Sequence, residues 1–85
     1  MAETEVGEIT HFFDKVSVAV IQLTKNLKVG DRIHIKGATT DFEQNIDSMQ
    51  IDRKPIEEAK PGDDIGMKTE ERVRAKDKVY LIKEK

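Results

Sequence analysis

Cysteine and tryptophan are absent from the 85 residues of this chain, and histidine occurs only twice. Without cysteine, neither a disulfide framework nor a thiolate metal site can form, and the reducing cytoplasm is the expected compartment. His11 and His34 have no further histidine or cysteine at a metal-binding spacing. We therefore predict no metal site and no cofactor.

Long apolar runs are also missing, as is the pattern of a secretion signal. The longest mostly apolar stretch covers residues 16–23, far short of the roughly 20 residues that a helix needs to cross a bilayer. Residues 1–7 have neither the basic start nor the apolar centre of a signal peptide. We expect a soluble protein that does not contact a membrane.

No pattern typical of an active site is present. Acidic pairs such as Asp63 and Asp64 are adjacent, so their side chains point apart on a strand or turn. Ser17 and Ser48 have neither an oxyanion-type glycine motif nor a base nearby in sequence. A glycine-rich phosphate-binding loop is missing as well. We predict no catalytic residue, no bound nucleotide and no enzymatic activity.

Charge of one sign is not in excess, although charged residues make up 38% of the chain. The 15 basic and 17 acidic residues give a net charge of −2, and such dense mixed charge is typical of the surface ion-pair networks of heat-adapted proteins. The bases are unevenly placed, because residues 25–36 hold four of them against the single acid Asp31.

Apolar residues alternate with a period of two, which indicates β-strands. Val16, Val18 and Val20 alternate with Ala19 and Ile21 and predict a strand that is covered on both faces. Further along, Ile33 and Ile35 alternate with polar residues and predict a strand with one wet face. The wet-face positions are Arg32, His34 and Lys36.

The apolar period changes phase at two places. The switch from Phe42 and Ile46 to Met49 predicts a bulge or bend near residues 47–48, and the switch from Val6 to Ile9 predicts another around Gly7. Two bends favour a closed antiparallel β-barrel of six or seven strands. We assign it to residues 5–82, with a disordered tail at residues 1–4 and a C-terminal tail at residues 83–85.

A short phrase that ends in Gly-Asp precedes two of the predicted strands. Glycine adopts positive φ without a Cβ clash, and aspartate can accept hydrogen bonds from N–H groups of the turn. A third copy has Lys76 in place of glycine, which costs roughly 1 kcal/mol if that residue is left-handed. The predicted turn residues are Gly30, Asp31, Gly62, Asp63 and Asp77.

Segments 6–9 (VGEI), 27–37 (LKVGDRIHIKG) and 59–66 (AKPGDDIG) resemble, in order and spacing, the second domain of translational GTPases such as elongation factor Tu. Together with segments 40–42 and 48–51, they also resemble translation elongation factor-like proteins and the C-terminal module of collagenase-like peptidases. The resemblance covers residues 5–82 and implies a translation-factor-type β-barrel. In the GTPases this domain helps to hold RNA.

Two binding functions are open. The first is contact with a tRNA-like RNA or a translation component, because alternate cations along a strand suit phosphates. The second is a protein-interaction module that docks on a peptidase or another enzyme through a strand edge or a rim at Phe12 and Phe13. The candidate RNA-binding residues are Lys25, Lys28, Arg32, His34 and Lys36.

Overall fold

The computed structural model describes residues 2–83, and within that range the chain forms β-strands and no helix. The all-β prediction is confirmed. Residues 2–83 contain no helix that is long and apolar enough to cross a membrane. The ten strands are β1 (Ala2–Phe13), β2 (Val18–Leu23), β3 (Leu27–Lys28), β4 (Arg32–Lys36), β5 (Asp41–Asn45), β6 (Met49–Ile51), β7 (Lys54–Ile56), β8 (Glu58–Ala59), β9 (Asp64–Lys68) and β10 (Lys78–Lys83).

Eight strands form one antiparallel sheet in the order β5-β4-β10-β1-β2-β9-β6-β7, and β3 pairs with β8 in a separate ribbon. Because β5 and β7 are edge strands, the sheet is not closed, and the predicted closed barrel of six or seven strands is wrong. The chain leaves strand geometry between β5 and β6, and Pro55 in β7 has no N–H for a further ladder. Both features leave the sheet with edges.

The side chain of Gln44 connects the edge strand β5 to the end of β9. Its Nε2 donates a hydrogen bond to the carbonyl of Lys68 at 3.1 Å, and its Oε1 accepts one from the N–H of Glu70 at 2.8 Å. Gln44 is buried, and both of its hydrogen bonds are part-buried. The two regions therefore meet through a side chain where a closed barrel would have a backbone ladder.

Two irregularities in β1 keep its apolar residues on the core side. The register shifts between Glu5 and Gly7 against β10, where the sequence predicts a bend, and again between Ile9 and His11 against β2. Each shift changes the in-out phase. Residues three apart therefore all reach the core: Val6, Ile9 and the half-buried Phe12.

The remaining core residues come from both halves of the sheet. Phe42 is half-buried against this core, whereas Phe13 is exposed. The predicted break at residues 47–48 is an interruption between β5 and β6, after which Met49 points inward. The largest fully buried side chains besides Val6 and Ile9 are Ile21, Leu23, Leu27, Ile33, Ile35, Ile46, Met49, Ile65, Met67 and Val73.

All three copies of the recurring phrase form the same turn. The residue before the aspartate has positive φ in each copy: 98° at Gly30, 90° at Gly62 and 78° at Lys76. The aspartate carboxylate accepts a hydrogen bond from the N–H three residues earlier, in the pairs Lys28–Asp31 (3.1 Å), Lys60–Asp63 (2.9 Å) and Arg74–Asp77 (2.9 Å). The phrase therefore encodes a strand-entry turn.

The first and the last strand of the described range pair with each other in the sheet. Strand β1 begins at Ala2, which is paired with Lys83 of β10. Residues 2–4 and Lys83, which the sequence suggested as parts of the two tails, therefore belong to the sheet, because they pair across β1 and β10. Met1 and residues 84–85, also assigned to tails, lie outside the described residues.

Candidate functional site

The bases on β4 form ion pairs with acids of the adjacent strand β5 and of β1, which lies beyond β10. Arg32 Nε lies 3.2 Å from Glu43 Oε1, and its Nη1 donates to Asn45 Oδ1 at 3.1 Å. Lys36 Nζ lies 3.9 Å from Glu3 Oε1. Sequence reasoning missed this neutralisation because the acids come from β1 and β5, and the register that places them opposite β4 is not visible in a local charge count. The face is a network of ion pairs.

The other two candidate RNA-binding cations lie outside the main sheet. Lys28 is in the small ribbon strand β3, and Lys25 precedes it in the loop after β2. Both are exposed. The structure therefore does not gather the five candidate residues into one row of free cations.

His34 is buried, with 8% of its surface exposed, whereas the alternation of β4 predicts it on a wet face. Its Nδ1 lies 2.9 Å from Glu3 Oε2, and its Nε2 lies 2.5 Å from Asp41 Oδ1. Side chains from β1 and β5 cover it on both sides. A carboxylate at each ring nitrogen favours the imidazolium form, in which both nitrogens donate.

These contacts shift the titration of both partners. The hydrogen bond to Asp41, followed by that to Glu3, raises the pKa of His34 above its ordinary value of 6.5, and burial opposes the shift. The hydrogen bond to His34 lowers the pKa of the Asp41 carboxyl below 3.8. The cluster is therefore a charged clamp that joins β1, β4 and β5.

The same cluster contains three side chains that could contact a metal ion. The donor atoms of Glu3, His34 and Glu43 lie within 4.8 Å of one another, and one imidazole with two carboxylates is a donor set that zinc accepts. However, Lys36 and Arg32 already approach the carboxylates, and both imidazole nitrogens have carboxylate partners. An ion would have to displace these contacts, so the donor set is explained by the clamp.

A second surface feature is an apolar groove of about 590 Å³ on the outer face of the sheet. It lies between the β1–β2 loop and the β6–β7 turn. We call it the sheet-face groove, and its principal lining residues are Phe13, Val16, Val18, Val20, Gln50 and Gly66.

The register of three strands builds the floor of the sheet-face groove. Val20 of β2 lies opposite Gly66 of β9, and Gly66 lies opposite Gln50 of β6. Directly paired residues share one face of a sheet. A Cβ at Gly66 would lie 3.3 Å from Gln50 Cγ and 3.4 Å from Val18 Cγ1. The missing side chain at Gly66 therefore leaves the floor open.

Two large apolar side chains at the rim are exposed to solvent. Phe13 is 49% exposed and Val16 is 59% exposed. The Phe13 ring packs against the ring of His11 in a tilted arrangement, with centroids 4.3 Å apart and an interplanar angle of 57°. The sequence pointed to a rim at Phe12 and Phe13, but the bulge after Ile9 turns Phe12 toward the core and leaves Phe13 outside.

Both turns that border the groove contain residues in the left-handed region. Ser17 in the β1–β2 loop has φ of 57°, and Asp52 and Arg53 in the β6–β7 turn have φ of 52° and 65°. Positive φ at both central residues of a two-residue hairpin defines a type I′ turn, which usually contains asparagine or glycine. Such conformations cluster at functional surfaces, and here they set the walls of the groove.

Comparison with known proteins finds that this chain is similar to segments of a protease and a collagenase. No family model matches the chain. It is 48% identical over 81 residues to an uncharacterized protease of Methanocaldococcus jannaschii, covering 94% of this chain and 20% of the protease. It is 31% identical over 80 residues to a collagenase of Porphyromonas gingivalis, covering 92% of this chain and 22% of the collagenase. Its homologues are collagenase-like peptidase modules. The chain spans about a fifth of the length of these relatives.

Solved structures show the same fold. The chain is similar to the C-terminal domain of a Geobacillus thermoleovorans protein described as a U32 peptidase, with a TM-score of 0.88 at 15% identity over 93% of this chain and 92% of that domain. A selenomethionine variant of the domain gives a TM-score of 0.85 at 15% identity, covering 89% of this chain and 96% of that chain. At this identity the likeness establishes the fold alone.

The identification with translation elongation factor-like proteins is wrong, because the relatives and the similar structures are peptidase modules. The error has a structural cause. The Gly-Asp phrase on which the resemblance depends is a strand-entry turn, used three times here to begin strands. A turn of this kind carries information about the backbone and none about a partner. The collagenase-like part of the resemblance is supported.

Proposed function

We propose that this chain is a non-catalytic module that docks on the catalytic portion of a collagenase-type peptidase. The observation that carries the proposal is the extent of the match: almost all of this chain is homologous to about a fifth of proteases and collagenases. The remaining four fifths of such proteins are then the natural partner of the module.

The described residues also support a non-catalytic role. Both nitrogens of His34 have carboxylate partners, and His11 packs against Phe13 at the surface. Neither ring is hydrogen-bonded to a serine or threonine hydroxyl among residues 2–83. A nucleophile and its base must lie within hydrogen-bond reach of each other or close to it. The chemistry of peptide hydrolysis is therefore expected in the partner.

The test is a direct binding measurement with two forms of the M. jannaschii protease. One form lacks the segment that is homologous to this chain, and circular dichroism first establishes that it is folded. We expect the 85-residue chain to bind this form in isothermal titration calorimetry. The intact protease serves as the control and should bind more weakly, because its own segment already occupies the site.

The outcome that contradicts the proposal is equally clear. If the folded, shortened protease does not bind the chain, or binds it no better than the intact protease does, the docking function is wrong. Hydrolysis of a peptide substrate by the purified chain alone would also refute the non-catalytic role.

A further inference from the structure

We infer that the sheet-face groove is the docking surface of this module and that it receives an apolar side chain flanked by carboxylates, presented by the peptidase. The inference rests on the proposed function, because it names the surface through which docking occurs. Three independent features of the groove support it: an uncovered apolar strand face, a preformed shape and unpaired cations at the rim.

The first feature is that β2 has two apolar faces and the chain covers only one. Ala19, Ile21 and Leu23 are buried in the core, whereas Val18 and Val20 on the opposite face are only half-buried. The sequence pattern of β2 is that of a strand with apolar neighbours on both sides. A contiguous apolar area that a small domain leaves uncovered indicates an interaction surface. The missing cover is therefore expected from a partner.

The second feature is that the shape of the groove is fixed before any partner binds. Gly66 keeps the floor open between Val18 and Gln50. The Asp52–Arg53 turn holds one wall in a strained backbone conformation, and such conformations persist only where the surrounding structure enforces them. A pocket that is already formed costs little to reorganise on binding. It suits one inserted side chain better than a flat contact.

The third feature is the charge at the rim. Lys15 and Arg53 border the groove, and neither is among the cations that form ion pairs within the described part of the chain. Asp52 adds one negative charge to the same rim, so the rim is net positive. A partner with carboxylates beside its apolar side chain complements this charge.

The other conspicuous region of the outer face is a poorer docking surface. Around β4 the cations Arg32 and Lys36 are paired with acids of this chain, so a partner would have to break existing ion pairs. The remaining large exposed hydrophobic residue, Val29 at 36% exposure, lies outside the groove. Val29 therefore provides a matched control for the rim residues.

The test uses the same calorimetric assay with the shortened protease. The double variant Phe13→Asp with Val16→Asp should weaken binding at least about tenfold, because it removes exposed apolar area that a partner would cover and places two carboxylates next to those of the partner. The matched control Val29→Asp should bind like the wild type. All three side chains are exposed, so we expect each variant to fold, and circular dichroism checks this.

The rim charge is tested by a second pair of variants. Lys15→Glu with Arg53→Glu should weaken binding about threefold or more at low salt and by less at high salt, because exposed charges are screened. Lys25→Glu, an exposed lysine outside the groove, should have little effect. Gly66→Leu, which fills the floor, should weaken binding independently of salt.

A probe that does not depend on the protease separates this inference from the proposed function. The short peptide Glu-Glu-Leu-Glu-Glu, titrated into the isotope-labelled chain, should shift the amide resonances of Val18, Val20 and Gly66. Lys-Lys-Leu-Lys-Lys should shift them less. If the wild-type chain does not bind the protease, docking itself is wrong. If the wild type binds and the groove variants bind equally well, or if the acidic peptide shifts no groove resonance, the groove assignment is wrong and docking stands.

Discussion

The three copies of the Gly-Asp turn allow backbone strain to be measured inside one protein. Gly62 and Lys76 occupy the same place in equivalent turns, with φ of 90° and 78°, and a Cβ at Gly62 would have no neighbour within 4 Å. A non-glycine residue in the left-handed region costs about 1–2 kcal/mol. Glycine offsets about 0.4–1 kcal/mol of this advantage, because it increases the conformational entropy of the unfolded chain. The net difference is about 0.5–1 kcal/mol in favour of glycine.

We therefore expect Gly62→Ala to destabilise the chain by about 1 kcal/mol and Lys76→Gly to stabilise it by about 0.5–1 kcal/mol. In a domain of this size about 1 kcal/mol corresponds to a shift in Tm of about 4–8 °C, which differential scanning calorimetry resolves. Lys76→Ala is the control, because it keeps a Cβ at the strained position. If Lys76→Gly lowers Tm, or if Gly62→Ala raises it, strain does not control this position.

Two further predictions concern the residues that connect the edge strand β5. The raised pKa of His34 stabilises the fold: this contribution is fully present below pH 6.5 and is lost as the pH rises through the folded-state pKa. The lowered pKa of Asp41 also stabilises the fold: this contribution is present above pH 3.8 and is lost as the pH falls through the folded-state pKa. The wild type should therefore exceed His34→Gln in unfolding free energy by the largest amount between pH 3.8 and 6.5. In urea titrations at alkaline pH this difference should decrease, and a difference that does not change with pH would contradict the clamp. Gln44→Ala should cost about 1–3 kcal/mol in urea unfolding, because it removes two part-buried hydrogen bonds, one to the carbonyl of Lys68 and one from the N–H of Glu70; a cost near zero would show that water replaces the amide.

Two regions of the outer face of the sheet differ in what they expose. The region around β4 consists of ion pairs and the His34 clamp, which join β1, β4 and β5. The region around β2 carries the half-buried valines and the groove. Internal ion pairs leave a surface with little residual charge to offer, whereas an exposed apolar face gains free energy when it is covered. This division favours the groove as the surface that meets another protein.

Much of the fold follows from local patterns. Alternation predicts β2 and β4, and the phase change between Val6 and Ile9 predicts the irregularity around Gly7. The second irregularity, after Ile9, was missed, because Thr10 and His11 are polar and a phase change is visible only between apolar residues. Its consequence is that Phe12 points inward and Phe13 outward, which determines the rim of the groove.

The candidate site depends on contacts that span the chain. Val18 and Gly66 are 48 residues apart in sequence, and only the pairing of β2 with β9 and of β9 with β6 brings them together with Gln50. His34 appeared to lie on a wet face because its covering residues, Glu3 and Asp41, belong to strands on either side. Local charge and periodicity carry no information on which strands are neighbours.

By itself the sequence determined the β-strands and where several of them bend, because side-chain alternation and glycine conformation act over a few residues. Only the tertiary structure decided that the sheet stays open, that the cations of β4 are neutralised and that one face of β2 is uncovered. These properties depend on strand order and register, which are set by the packing of the whole core and not by any single segment.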